Sequence, residues 1–220
     1  MEVVELNEKT LHGILFLAVK AIKEGKTVVY PTDTIYGIGG DALNPSVARK
    51  IFRIKRRPEG RAMIVLVRDV AMARKYAYID LWVESVLARL WPGPVSVILH
   101  RKDAMPEEVS EGKDTLALRM PGTPFLEELL KQVDRPLIAT SANLSGVAED
   151  GATLSPFLLS MRESVVKPDL VIDAGRLPES EPSTLLDLTN KKEPKVLRRG
   201  ALSDEDIEQL VHPIFAKSNV

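Results

Sequence analysis

The chain contains no cysteine in its 220 residues. That removes disulfides, thiolate metal sites and a cysteine nucleophile together. Histidine is scarce as well: His12, His100 and His212 are far apart, with no partner at metal-ligand spacing, so no protein-held metal is expected. No apolar run approaches the roughly 20 residues that span a bilayer. The opening Met-Glu-Val-Val-Glu is acidic where a signal peptide would be basic, which makes a cytoplasmic location the expectation, with no membrane partner. There is no Walker loop, no Rossmann glycine fingerprint, and no serine with the flanking glycines of a nucleophile elbow. A bound nucleotide would have to be held by other means.

What is present is ordinary in bulk and uneven in detail. The chain is 45% apolar and 28% charged, as in a soluble globular protein large enough to bury a core. The net charge of −1 conceals two basic runs. Arg49, Lys50, Arg53, Lys55, Arg56, Arg57 and Arg61 face only Glu59; Lys191, Lys192, Lys195, Arg198 and Arg199 face only Glu193. Two local runs in a near-neutral chain point to an anion site, not to a surface coated for nucleic acid.

Apolar periodicity predicts a helix over Thr10–Lys23, ended by Gly25, then a short strand at Thr27–Tyr30. Asn44-Pro45 reads as a helix start, and Asp69 and Asp80 as caps of two more helices. Strands are expected at Met63–Val67, Val95–Leu99, Thr115–Arg119 and Leu137–Thr140, with a helix from Pro124 to Gln132. Further strands fall near Asp169–Ile172, Ser183–Leu188 and Lys195–Leu197, before a last helix opening at Ser203-Asp-Glu-Asp206. Helices and strands alternate early and strands dominate late. This favours an α/β fold, one domain over residues 1–220 with an open, twisted mixed sheet. The stretches Gly146–Ser155 and Gly175–Ser183 are candidate lids.

Three segments could carry chemistry. Pro31-Thr-Asp-Thr-Ile-Tyr-Gly37 follows a strand, where α/β sheets place ligand loops, although a self-satisfied turn would use part of the same set. Lys55-Arg56-Arg57-Pro58 offers a point charge and a planar fork to an anion, or else is a solvated helix end. Thr140-Ser-Ala-Asn-Leu-Ser-Gly146 also follows a strand, and Ser141 and Asn143 would point to one side if that strand continued.

In order along the chain, these segments are joined by Trp-Pro-Gly-Pro at 91–94, Leu-Arg-Met-Pro at 118–121, Pro-Ser-Thr-Leu-Leu-Asp at 182–187 and Leu-Arg-Arg-Gly at 197–200. Over about residues 10–200 this series resembles the YrdC-like family, in its short, single-domain branch. The resemblance implies a fold around a large, positively lined cavity. It also implies synthesis of threonylcarbamoyl-adenylate and pyrophosphate from L-threonine, bicarbonate and ATP with Mg2+, for a downstream transferase that modifies tRNA. Carried over by motif, Thr34, Arg119, Ser141 and Ser183 are threonine contacts. Arg57, Arg61, Thr115, Asn143 and Arg198 are ATP contacts, and Lys55 with Arg57 forms the catalytic pair. Arg56 stands where many members have glycine, Ala62-Met63 replaces a common Pro-Leu, and Leu66 stands where some members place histidine. The competing readings are an RNA- or tRNA-binding module of the same fold without catalysis, a carbamoyl-transfer enzyme of the hydrogenase-maturation kind, and an altered paralogue.

Overall fold

The computed structural model describes residues 1–56, 62–145, 151–207 and 209. The strands are β1 (Glu2–Glu5), β2 (Val28–Tyr30), β3 (Gly37–Asp41), β4 (Ile64–Leu66), β5 (Val95–His100), β6 (Thr115–Arg119), β7 (Leu137–Ser141), β8 (Leu170–Asp173), β9 (Thr184–Asp187) and β10 (Lys195–Arg198). The helices are α1 (Leu11–Lys23), α2 (Pro45–Lys55), α3 (Val70–Tyr76), α4 (Leu81–Leu90), α5 (Glu107–Ser110), α6 (Pro124–Val133), α7 (Ser155–Met161) and α8 (Asp204–Asp206). All ten strands form one mixed sheet, ordered β1-β8-β2-β3-β7-β4-β6-β5-β9-β10.

The expected helix starts hold for local reasons. Asn44, Asp69 and Asp80 each accept a backbone N–H of their own first turn, as N-caps do. Ser203 and Asp206 bond reciprocally, side chain to backbone, in the capping-box pattern. Four elements were not expected: β1, β3, α5 and α7. β3 reads Gly-Ile-Gly-Gly-Asp, a composition that argues against a strand. Its glycines are required by close approach. A Cβ on Gly39 would lie 1.7 Å from the Ile138 carbonyl oxygen and 2.5 Å from the Tyr30 hydroxyl. Through that gap Tyr30 donates to Ile138 O at 2.7 Å.

Strand alternation divides the core in two. Val28, Tyr30, Leu66, Leu137, Leu170 and Ile172 face one side, where α1 and α6 cover them. Val29, Val65, Ile138 and Val171 face the other, under α2, α3, α4, α5 and α7. The coverage is unequal. On the α1/α6 side the core draws nothing from β5, β6 or β9, so among the described residues that half of the sheet face is not packed beneath a helix. The cavity is there.

Candidate active site

A cavity of about 400 Å3 opens over this uncovered face. Ile64 and Leu66 of β4, Ala117 and Arg119 of β6, Ile98 of β5, Leu185 of β9 and Ala139 and Ser141 of β7 form its floor. They alternate with the core residues of the same strands, so two-residue periodicity aims them here. The loop after β2 supplies one wall, and Pro182, Ser183 and Arg198 another.

The loop wall is a closed hydrogen-bond circuit. Thr32 Oγ1 donates to Ile35 O at 2.7 Å and accepts from Thr34 N at 3.0 Å. The Thr32 proton being committed, the 3.0 Å contact between the two threonine hydroxyls has Thr34 as donor. Thr34 Oγ1 also accepts from Arg119 Nη1 at 3.1 Å. Its remaining capacity is a lone pair. Arg119 donates from Nε to Gly93 O at 3.0 Å and from Nη2 to Asp33 Oδ1 at 2.5 Å. A buried guanidinium is thus fixed in plane and matched by a carboxylate, which is what burial of such a charge requires. Asp33 is held in turn by Gly122 N at 3.2 Å.

Tyr36 ties the walls together. Its backbone N–H donates to Gly151 O, and its carbonyl accepts from Ala142 N, both at 2.9 Å. Its hydroxyl donates to Gly175 O at 2.7 Å and accepts from Ala174 N at 2.8 Å. Burial pushes the phenol up to about 12, so it is a neutral donor at ordinary pH.

Lys55 ends α2 and is buried, 2% exposed. Its ammonium donates to Ser141 O, to Asn143 O at 2.8 Å and to Asn143 Oδ1 at 2.9 Å. Ser141 Oγ donates to the same Asn143 Oδ1 at 2.6 Å. The structure therefore places Lys55 beneath the 141–143 loop, outside the cavity lining. The residue after it, Arg56, takes the left-handed conformation with φ 47°, as helix C-termini commonly do with glycine.

The far wall depends on a β-bulge. Val196 pairs with Leu186 and Arg198 with Leu185, two steps on β10 against one on β9. Strict alternation would put Arg198 on the Val196 side, against the core; the extra residue turns it to the cavity. There its guanidinium donates to Ser183 O from Nη2 at 2.8 Å and from Nε at 3.2 Å. Burial, then the nearby Arg119 charge, lowers its pKa. Ser183 Oγ lies 2.8 Å from Ser96 Oγ.

The structure thus brings Thr34, Arg119, Ser141, Ser183 and Arg198 together in one cavity. Thr115 starts β6 on the Ala117 and Arg119 face, next to the lining, and Asn143 lies with Lys55 below it. Arg57, Arg61 and part of the 146–155 stretch lie outside the described residues. Sequence reasoning assigned no role to Asp33, Tyr36, Ser96 or Lys113. Asp33 and Tyr36 sat inside a segment already singled out; Ser96 and Lys113 carry no local signal. The described lining contains three cations, Lys113, Arg119 and Arg198, and no carboxylate. No group of three or more His, Asp or Glu gathers for a metal among the described residues. Hydroxyls and cations suit an anionic substrate.

A family model described as telomere recombination, Sua5/YciO/YrdC, matches residues 20–200. A Methanocaldococcus jannaschii protein provisionally named threonylcarbamoyl-AMP synthase is 36% identical over 192 residues, 87% of this chain and 88% of that one. The threonylcarbamoyl-AMP synthase of Pyrococcus abyssi is 31% identical over 98% of this chain, which spans 64% of that relative's length. The crystal structure of P. abyssi Sua5 complexed with L-threonine superposes with a TM-score of 0.86 at 30% identity, over 96% of this chain and 61% of that one.

Proposed function

The chain belongs to the Sua5/YciO/YrdC family, and from that premise we propose that it is an L-threonylcarbamoyladenylate synthase. It joins L-threonine, bicarbonate and ATP into threonylcarbamoyl-AMP and releases pyrophosphate. The observation that carries this reading is the convergence of Thr34, Arg119, Ser141 and Ser183 on one cavity whose described lining holds cations and no carboxylate.

The chemistry needs no protein nucleophile. The threonine amine attacks bicarbonate carbon and, with loss of water, gives a carbamate. A carbamate oxygen then attacks the α-phosphorus of ATP while the bond to pyrophosphate breaks. Carbamate and triphosphate are both anions, so the protein's tasks are positioning and charge compensation. Arg119, fixed by Asp33, Thr34 and Gly93, takes the threonine carboxylate with its remaining N–H bonds. Thr34 Oγ1, its proton given to Thr32, accepts from the amine or hydroxyl of threonine. Ser141 and Ser183 complete the threonine pocket. Arg198, with Arg57, Arg61, Thr115 and Asn143, holds the nucleotide, Arg57 supports the reacting groups, and Lys55 acts through Ser141 and Asn143, which it holds from beneath. Magnesium enters bound to the phosphates of ATP. The product is a mixed anhydride that water destroys, so a transferase acting on tRNA must consume it. No helix of the described residues is long and apolar enough to cross a membrane, and the reaction is assigned to the cytoplasm, where its substrates are.

The test is pyrophosphate release. It should require L-threonine, bicarbonate and ATP together. Serine, lacking only a methyl, should give a kcat/KM lower by roughly 10- to 200-fold. Binding of tRNA with no pyrophosphate release would favour the RNA-binding reading instead.

A further inference from the structure

We propose that Lys113 is a binding residue for the pyrophosphoryl end of ATP, standing opposite the threonine pocket. The inference rests on the synthase reading above and adds a direction to it. Of the three cations in the described lining, Arg119 has every nitrogen donating to protein, and Asp33 balances its charge at 2.5 Å. Arg198 donates to Ser183 and so is committed to the wall it stands on. Lys113 differs from both. Its backbone is fixed, N–H to Ser110 O at 3.2 Å and carbonyl from Arg101 Nε at 2.9 Å. Its exposed side chain makes no ion pair or hydrogen bond among the described residues. It is the described lining cation whose charge the protein leaves unused.

Its place along the sheet decides which part of the ligand it meets. Arg119 closes β6 and Lys113 lies two residues before Thr115, which opens it. A strand of this length separates the two ends by about 13 Å. The threonine carboxylate is held at the Arg119 end, beside Thr34 and Ser183, while Ser141 stands level with Thr115 by the register of β7, β4 and β6. Displacement at the α-phosphorus runs in line, so the leaving pyrophosphate points away from the carbamate that attacks. Away from Arg119 along β6 is toward Lys113. A compact ammonium with three donors, on a flexible stem at the mouth, suits phosphate oxygens that must bind and then depart. A purine would leave its charge unmatched.

Calorimetric titration of wild type and Lys113→Ala with ATP, AMP, inorganic pyrophosphate and L-threonine tests this. The variant should weaken ATP and pyrophosphate about tenfold or more, the scale of one charge-assisted contact, and leave AMP and L-threonine unchanged. Lys113→Arg should recover part of the loss. Lys191→Ala, an exposed lysine outside the lining, should change nothing, separating a contact from a general charge effect. Equal weakening of AMP and ATP would put Lys113 at the nucleoside and overturn the proposal. So would unchanged pyrophosphate affinity in Lys113→Ala. Wild-type protein that takes up pyrophosphate but not L-threonine would sink the synthase reading and leave this contact standing.

Discussion

Two neighbouring residues at the end of α2 have opposite relations to their surroundings. Arg56 is exposed and holds a φ of 47° that glycine would adopt without cost. Arg56→Gly should therefore raise stability by about 0.5–1 kcal/mol, less strain against more chain entropy. Urea denaturation measures this, and a loss would mean the arginine side chain contributes more than its backbone costs. Lys55, by contrast, is buried with its ammonium on the oxygens of Ser141 and Asn143. Lys55→Met keeps the stem and volume but orphans those acceptors. It should cost about 2 kcal/mol or more and also weaken threonine binding, because Ser141 loses its support. A solvated helix-end charge would change stability by no more than ~0.5 kcal/mol, so unchanged stability would refute the buried role. The basic run showed that a charge cluster existed. It could not show that this member points inward, because that depends on where the 141–143 loop lies, 86 residues away.

Among the elements, β10 and its bulge separate two adjacent arginines that look equivalent in Leu-Arg-Arg-Gly. Both are exposed, but Arg198 lines the cavity and Arg199 does not. Arg198→Ala should weaken ATP binding about tenfold or more, and Arg199→Ala should leave it near wild type, by calorimetry. The reverse order would mean the register on β9 is misplaced. Gly200 ends the same segment because a Cβ there would lie 2.0 Å from the Pro182 carbonyl oxygen. Gly200→Ala must push the Pro182–Ser183 wall outward. It should raise the KM for L-threonine, through Ser183, more than it lowers the melting temperature of the unliganded protein.

For the molecule as a whole, the buried phenols set an alkaline limit. Burial holds Tyr36 at about 12 against an ordinary 10.0 and drives Tyr30 further up. In the folded state these phenols stay neutral where the unfolded chain ionises. Their contribution is complete below pH 10 and is lost as pH rises through the folded values. The urea midpoint should fall steeply between pH 10 and about 12, and less steeply in Tyr36→Phe. On the acid side, burial pushes Asp169 up, but Lys50 and Thr27 outweigh it and the carboxyl is lowered. Its contribution is present above its ordinary 3.8 and lost as pH falls through the lower folded value. Lys50→Ala should shift acid unfolding to higher pH. An unchanged acid midpoint would remove this clamp from the account.

The residues themselves determined whatever depends on near neighbours. The helices at Leu11–Lys23 and Pro124–Val133, the caps at Asn44, Asp69 and Asp80, and the strand at Thr115–Arg119 follow from periodicity and capping, which act within a turn or two. The segments 31–37 and 140–146 stood out because hydroxyls, carboxylate, amide and glycine cluster there after strands, although a turn would use part of the same set; 182–187 stood out only through the family resemblance. Tertiary structure alone decided the rest. Gly37–Asp41 is a strand only because Tyr30 and β7 crowd it from both sides. Asp33 balances Arg119 across 86 residues. The bulge gives Arg198, not Arg199, to the cavity. Each of these depends on a contact between distant parts of the chain, and a residue's type does not specify which distant group will lie beside it.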